Sequence, residues 1–214
     1  MRVLVACEFS GIVREAFRSR GHDAWSCDVL PAEDNSLHHL QRDVREVLAG
    51  WLPDYGFDTE WDLMIAHPPC TRLTNAGVRW LNTPPAGKTQ EQICDELDAA
   101  CEFYLELRNA PIPRKAIENP IMHCYARERL GNVPRQVVQP HYFGDPFFKA
   151  TGFELHGLPP LERTHWLDVP KKGTTEHKAW SAVHRASPGP NRWKERSRTY
   201  PGVAHAMAEQ WGSL

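Results

Sequence analysis

A thiol and a carboxylate, each ending a short apolar run, are the residues of this chain best suited by type and spacing to chemistry. Trp61-Asp-Leu-Met-Ile-Ala-His-Pro-Pro-Cys70 reads as a buried strand closed by a rigid turn, so Cys70 stands where open α/β sheets build their sites. Pro68 and Pro69 fix the backbone and remove two amide donors, which makes sense where a side chain must be aimed. Lys115-Ala-Ile-Glu118-Asn119-Pro120 reads as a second short strand capped by Glu118. A nucleophilic Cys and a Glu, each at the end of a strand in an α/β chain, suggest attack on a heteroaromatic ring. A free thiol, with a pKa of about 8.5, is only a few per cent thiolate near neutrality, so this role calls for a nearby cation or a helix amino-terminus. Addition of a thiolate at C6 of a pyrimidine puts negative charge on the ring. A carboxylic acid at N3 relieves that charge if its pKa is raised towards neutrality. The plain alternatives are an inert Cys after a strand and a Glu that pairs with Lys115 or a surface Arg.

Glu8-Phe9-Ser10-Gly11 lies between a strand and a helix, where a nucleotide-like cofactor can meet backbone amides. One Gly stands where a dinucleotide fingerprint has three, so NAD binding is not supported. Asp28, ending the second strand, is placed to accept hydrogen bonds from ribose hydroxyls.

The elements that must position these groups alternate strand and helix through the first half, which argues for a mostly parallel sheet. Strands are expected at 2–7, 22–27, 61–67, 115–118 and 136–139. Helices are expected at 12–20, stopped by Gly21, and from a cap at Thr89 to about Arg108, where Ile93, Leu97, Ala100, Cys101, Tyr104 and Leu105 recur at helical spacing. Asp43-Val44 opens a short helical piece. Residues 32–42 and 71–87 read as irregular, the stretch beyond Gly144 mostly as loop, and Pro201 as the start of a last helix packed through Val203, Met207 and Trp211. There is no internal repeat.

The 214 residues form one domain's worth of chain, with 41% hydrophobic and 24% charged residues, as in an ordinary globular protein. No apolar run approaches the ~20 residues of a membrane span, and the N-terminal run lacks a signal peptide's layout. A cytoplasmic monomer is expected. Cys7, Cys27, Cys70, Cys94, Cys101 and Cys124 contain no C-x-x-C pair, so neither zinc nor disulfides are expected, and most read as small buried hydrophobes. The net charge of -2 conceals a basic stretch from Lys171 to Arg198, with eight Lys and Arg against two Glu. Such a block marks either a polyanion-binding surface or a solvated loop.

Together these residues resemble the cytosine-C5 DNA methyltransferases, and more closely their short phage and prophage versions, over nearly the whole chain. Pro68-Pro69-Cys70 is similar to the family's catalytic Pro-Cys motif and Glu118-Asn119-Pro120 to its Glu-Asn-Val. Phe9-Ser10-Gly11 is similar to the opening of its S-adenosylmethionine turn, with Val13 at the second glycine's position. Asp28 and Asp43 fall where members hold ribose and adenine. Phe143-Gly144-Asp145-Pro146 resembles the Tyr-Gly-x-Pro stretch, and Tyr200-Pro201-Gly202 the last motif beside the methionine end of the cofactor. Phe147, Lys149 and Thr151 occupy the Gln-x-Arg-x-Arg positions, so only Lys149 keeps a cation there.

The resemblance implies a Rossmann-like methyltransferase fold over 1–156, a small DNA-contacting segment over 157–199, and a C-terminal helix over 200–214 that packs back. It implies Cys70 addition to C6 of a flipped cytosine, Glu118 at N3, and methyl transfer from S-adenosylmethionine to C5, in a restriction-modification setting. Cofactor residues would be Phe9, Ser10, Gly11, Asp28, Asp43, Pro68 and Tyr200. DNA-facing residues would be Arg72, Arg79, Asn119, Lys149, Arg192, Trp193, Lys194, Arg196 and Arg198, the last group interleaving an aromatic with cations. With about forty residues for recognition, a short or relaxed target preference is expected. The alternatives are C5 modification of free deoxycytidine nucleotides, use of a modified S-adenosylmethionine, and a non-catalytic DNA-binding module.

Overall fold

Six strands run one way and one runs against them in a single seven-stranded sheet. The computed structural model describes residues 1–50, 60–118, 121–131, 135–185, 189 and 192–214. The strands are β1 (Arg2–Ala6), β2 (Asp23–Asp28), β3 (His39–Gln41), β4 (Leu63–Ala66), β5 (Arg114–Glu118), β6 (Gln136–Val138) and β7 (Thr151–His156). Their order is β3-β2-β1-β4-β5-β7-β6, with β7 antiparallel to both neighbours. This is the arrangement of the methyltransferase α/β fold, as the sequence led one to expect.

The side-chain period of two sends alternate residues of each strand to opposite layers. Leu4, Ala6, Met64 and Ala66 pack under α2 (Val44–Leu48), α4 (Gln90–Asn109) and α5 (Cys124–Leu130). Val3, Val5, Leu63 and Ile65 pack against α1 (Ile12–Arg18) and α9 (Pro201–Gln210), whose Val203, Met207 and Trp211 line the contact as expected. Both faces of β1 and β4 are thereby covered, which is why these strands read as continuous apolar runs. Helix α4 begins at the Thr89 cap, where Thr89 and Gln92 form a reciprocal capping box. Helix α9 starts with Pro201, and the Gly202 amide donates to Asp145 Oδ2 at 2.8 Å. A Cβ on Gly202 would lie 2.1 Å from the Phe143 carbonyl oxygen, so only glycine lets α9 come this close.

The structure adds elements where the sequence reads as irregular. Residues 32–42 contain β3, and 71–87 contain α3 (Asn75–Asn82). Between β5 and β6 stands α5, and beyond Gly144 come β7, α6 (Thr175–Trp180), α7 (Ala182–Arg185) and α8 (Arg192–Ser197). Strand β7 escapes the pattern because Glu154, a charged residue, faces inward at 1% exposure, held by Arg108 and Tyr104. Among the six thiols only Cys27 and Cys101 are buried, while Cys124 is exposed, which corrects the reading of most of them as core.

Candidate active site

In-register pairing brings the ends of β1, β4 and β5 to one edge of the sheet: Ala6 lies opposite Ala66, and Ala66 opposite Ile117. The His67 amide continues the ladder by donating to the Ala6 carbonyl at 2.9 Å. One residue further on, His67 Nδ1 lies 2.8 Å from Glu118 Oε2, with side chains 9% and 13% exposed. Glu118 therefore pairs neither with Lys115, whose ammonium donates to the Ala110 and Ile112 carbonyls, nor with a surface Arg.

Pro68 is buried, Pro69 exposed and Cys70 half-buried. The Cys70 carbonyl accepts from the Leu73 and Thr74 amides, and the segment is pinned from behind by the His123 ring on the Arg72 carbonyl at 2.7 Å. Burial, and then the charge of Glu118, hold the Cys70 thiol above its ordinary value, while Lys149 and Arg196 pull it down. Cations are thus near the thiol, yet their pull does not win. Glu118 also departs from expectation. Burial pushes its pKa up, but the His67 hydrogen bond, with the charges of Lys149 and His67, brings it below the ordinary carboxylate range. A small pocket beside Glu118 is lined by that residue with Lys149, Thr151, Phe153 and Tyr200.

The cofactor-edge residues gather on the same side. Gly11 caps α1 in a left-handed conformation, φ 73°, and Ser10 Oγ donates to Glu8 Oε1 at 3.2 Å. The Val13 and Arg14 amides donate to the Glu8 carboxylate at 2.7 and 3.2 Å, so the first turn of α1 is already satisfied from within. Asp28 ends β2, with one oxygen on the Leu30 amide, and burial raises its pKa. Asp43 caps α2 through the Arg45 amide. The charges of both Asp28 and Asp43 bear on Cys7, which leaves β1 at φ 60°. Tyr200 stacks on Phe147 with ring centroids 4.9 Å apart.

The basic stretch divides. Helix α8 rests on the turn after β1: Trp193 lies 5.8 Å from the Phe9 ring, and Lys194 Nζ 5.9 Å above it. Arg198 pairs with Glu33 at 2.7 Å, and Lys149 Nζ donates to the Arg198 carbonyl at 2.8 Å. Arg196 is near enough for its charge to act on Cys70. Arg192 opens α8. Arg72 is clamped by Glu96 at 2.7 Å, while Arg79 stands on α3, its guanidinium 4.1 Å from the Trp80 ring. Asn119 lies outside the described residues.

Two residues that the sequence reading passed over belong to this edge. Glu8 is 5% exposed, and burial raises its pKa against the pull of His67 and the two amides. Its signal was its place, a carboxylate directly between a strand and a glycine turn. His67 had a signal too, as the only ionisable residue between the apolar run and Pro68.

The sheet order is that of the methyltransferase fold. No protein-family model and no curated protein matches the sequence. Among solved structures the chain is similar to a prophage-encoded E. coli protein assigned as a DNA modification methyltransferase. The identity is 17% and the TM-score 0.47, over 72% of this chain and 46% of that one. It is also similar to the Entamoeba histolytica methyltransferase EhMeth, at 13% identity and a TM-score of 0.48, over 81% of this chain and 57% of that one. The chain thus spans about half the length of these two structures. No helix among the described residues is long and apolar enough to cross a membrane.

Proposed function

We propose that this chain is a DNA (cytosine-5)-methyltransferase that uses S-adenosylmethionine and acts through a covalent adduct at Cys70. The observation that carries the reading is the meeting of Cys70 and Glu118 at neighbouring strand ends, with Lys149 acting on both. The residues at the adjoining edge suit this cofactor. A phosphate would compete with Glu8 for the first-turn amides of α1, whereas a cofactor without phosphates asks only for partners to its ribose and adenine. Asp28 would take the ribose hydroxyls, Asp43 the adenine side, and Phe9 and Tyr200 the apolar walls. When bound, S-adenosylmethionine supplies an electrophilic methyl group.

The chain's own residues do the rest. A cytosine swung out of the stack enters beside Glu118 and Lys149. Once its thiol proton is released to solvent, the Cys70 sulfur forms a bond to C6 as N3 takes a proton from the Glu118 side, so ring charge never accumulates. After C5 has been alkylated, loss of its proton re-forms the double bond, the C6–S bond breaks, and N3 returns its proton to Glu118. Lys194, Arg192 and Arg196 face the DNA backbone, and Trp193 and Arg79 the unstacked region.

The test incubates purified protein with S-adenosylmethionine and cytosine-rich DNA, digests the DNA, and reads its nucleosides by mass spectrometry. The expected result is 5-methylcytosine from wild type and none from Cys70→Ser. Product from the mutant at the wild-type rate would remove Cys70 from the mechanism. No modified base from wild type, with DNA bound, would reject the methyltransferase reading.

A further inference from the structure

The carboxyl that the proposed chemistry needs as an acid is held as an anion by its neighbour. Glu118 ends β5 with Oε2 at 2.8 Å from His67 Nδ1, and an ionised carboxylate can only accept, so Nδ1 carries the hydrogen. The other ring nitrogen, Nε2, is buried and has no partner among the described residues. His67 cannot easily turn away, because its amide is locked to the Ala6 carbonyl and its chain runs directly into Pro68. Charged groups surround the pair from every packed element: Glu8 after β1, Cys70 after β4, Lys149 before β7, and Arg196 on α8 facing the thiol.

We infer that His67 is a positioning residue and proton reservoir behind Glu118, so that the acid of the site is the His67–Glu118 pair rather than the carboxyl by itself. This rests on the methyltransferase reading above and deepens it. The pair holds one transferable proton in the hydrogen bond between Nδ1 and Oε2. As the Cys70 thiolate bonds to C6, the shared proton passes through the Glu118 carboxyl to N3, which leaves Glu118 ionised. When the C6–S bond breaks, the proton on N3 returns to Glu118 and Nδ1, so the pair ends as it began and only the C5 proton is lost to solvent.

His67→Gln keeps a donor for Oε2 but removes the ionisable proton, and it separates the two possible acids. Without the imidazole, Glu118 should hold its own proton more tightly. A ¹³C carboxyl titration, with the Glu118 signal assigned by its loss in Glu118→Gln, should move up by roughly one pH unit in His67→Gln. If Glu118 alone were the acid, that shift would raise or preserve kcat near neutral pH. The pair predicts the opposite: kcat for 5-methylcytosine formation falls about 10²-fold, with KM and S-adenosylmethionine affinity nearly unchanged. In wild type kcat should fall as the pH rises through loss of the shared proton, a limb absent from His67→Gln. Superimposable pH profiles, or an unmoved Glu118 titration, would overturn the inference. A wild type that titrates as described yet methylates no cytosine would support the proton pair while rejecting the methyltransferase reading, which keeps the two failures distinct.

Discussion

Trp193 lies 5.8 Å from Phe9, ring centroid to centroid, at 59°, although 184 positions separate them in sequence. The basic helix α8 is thereby seated on the turn that follows β1, and Lys194 reaches across both rings. The surface proposed to meet a polyanion and the turn proposed to meet the cofactor share one wall.

The first prediction concerns that wall. An aromatic contact of this kind is worth about 0.5–1.5 kcal/mol beyond area burial, and its loss frees Phe9 to move. Trp193→Ala should weaken S-adenosylmethionine binding roughly three- to tenfold by calorimetry, with little change in Tm, since Trp193 is 51% exposed. Affinity within twofold of wild type would mean that the contact does not shape the turn.

The second concerns the thiol. Burial and Glu118 hold the Cys70 pKa up, so its thiolate fraction, and with it alkylation by iodoacetamide, should climb steeply above neutral pH. Glu118→Gln removes a negative charge and should speed alkylation several-fold at a given pH while turnover falls. Lys149→Ala should slow it. The rates are read on the Cys70 peptide by mass spectrometry, because Cys124 is exposed and reacts independently. Equal rates in all three proteins would contradict the electrostatic picture.

A third prediction tests how the basic stretch divides. Lys194, Arg192 and Arg196, replaced singly by Ala, should each lower the salt slope of DNA binding by about one, as expected for one phosphate contact. Arg198→Ala should change it less, because Arg198 already pairs with Glu33. Four equal slopes would show that the Glu33 pair opens on DNA.

The fourth concerns stability. Glu154 is buried at 1% exposure; burial raises its pKa, but Arg108, Tyr104 and His156 bring it below the ordinary range. A depressed folded-state pKa contributes stability that is present above the unfolded value, about 4.3, and is lost as pH falls through the folded value. Glu154→Gln leaves Arg108 without its counter-charge and should cost about 3 kcal/mol at pH 7, or roughly 6–12 °C in Tm. The gap from wild type should narrow as the pH falls below about 4. A gap that stays constant with pH would show that packing rather than charge holds Glu154.

Local pattern made the centre of the sheet legible. β1 and β4 are uninterrupted apolar runs because both their faces are covered, and α4 repeats at helical spacing because one face meets the core. Cys70 and Glu118 were legible for the same reason, since each follows a run that must be a buried strand. The edges were not. β3 spans three residues, too few for a period to register, and β7 carries an inward Glu154 whose partners come from α4. Helix α3 interrupts its short apolar face with Gly77, which reads as loop.

By itself, then, the sequence determined which strands are central and which side chains stand at their ends, because burial on two faces and proline-locked turns are written locally. Only the tertiary structure decided the charge partners: His67 rather than Lys115 on Glu118, and Glu33 on Arg198. Charge and hydrogen bonding act through space across strands far apart in the chain. No spacing along one segment carries them.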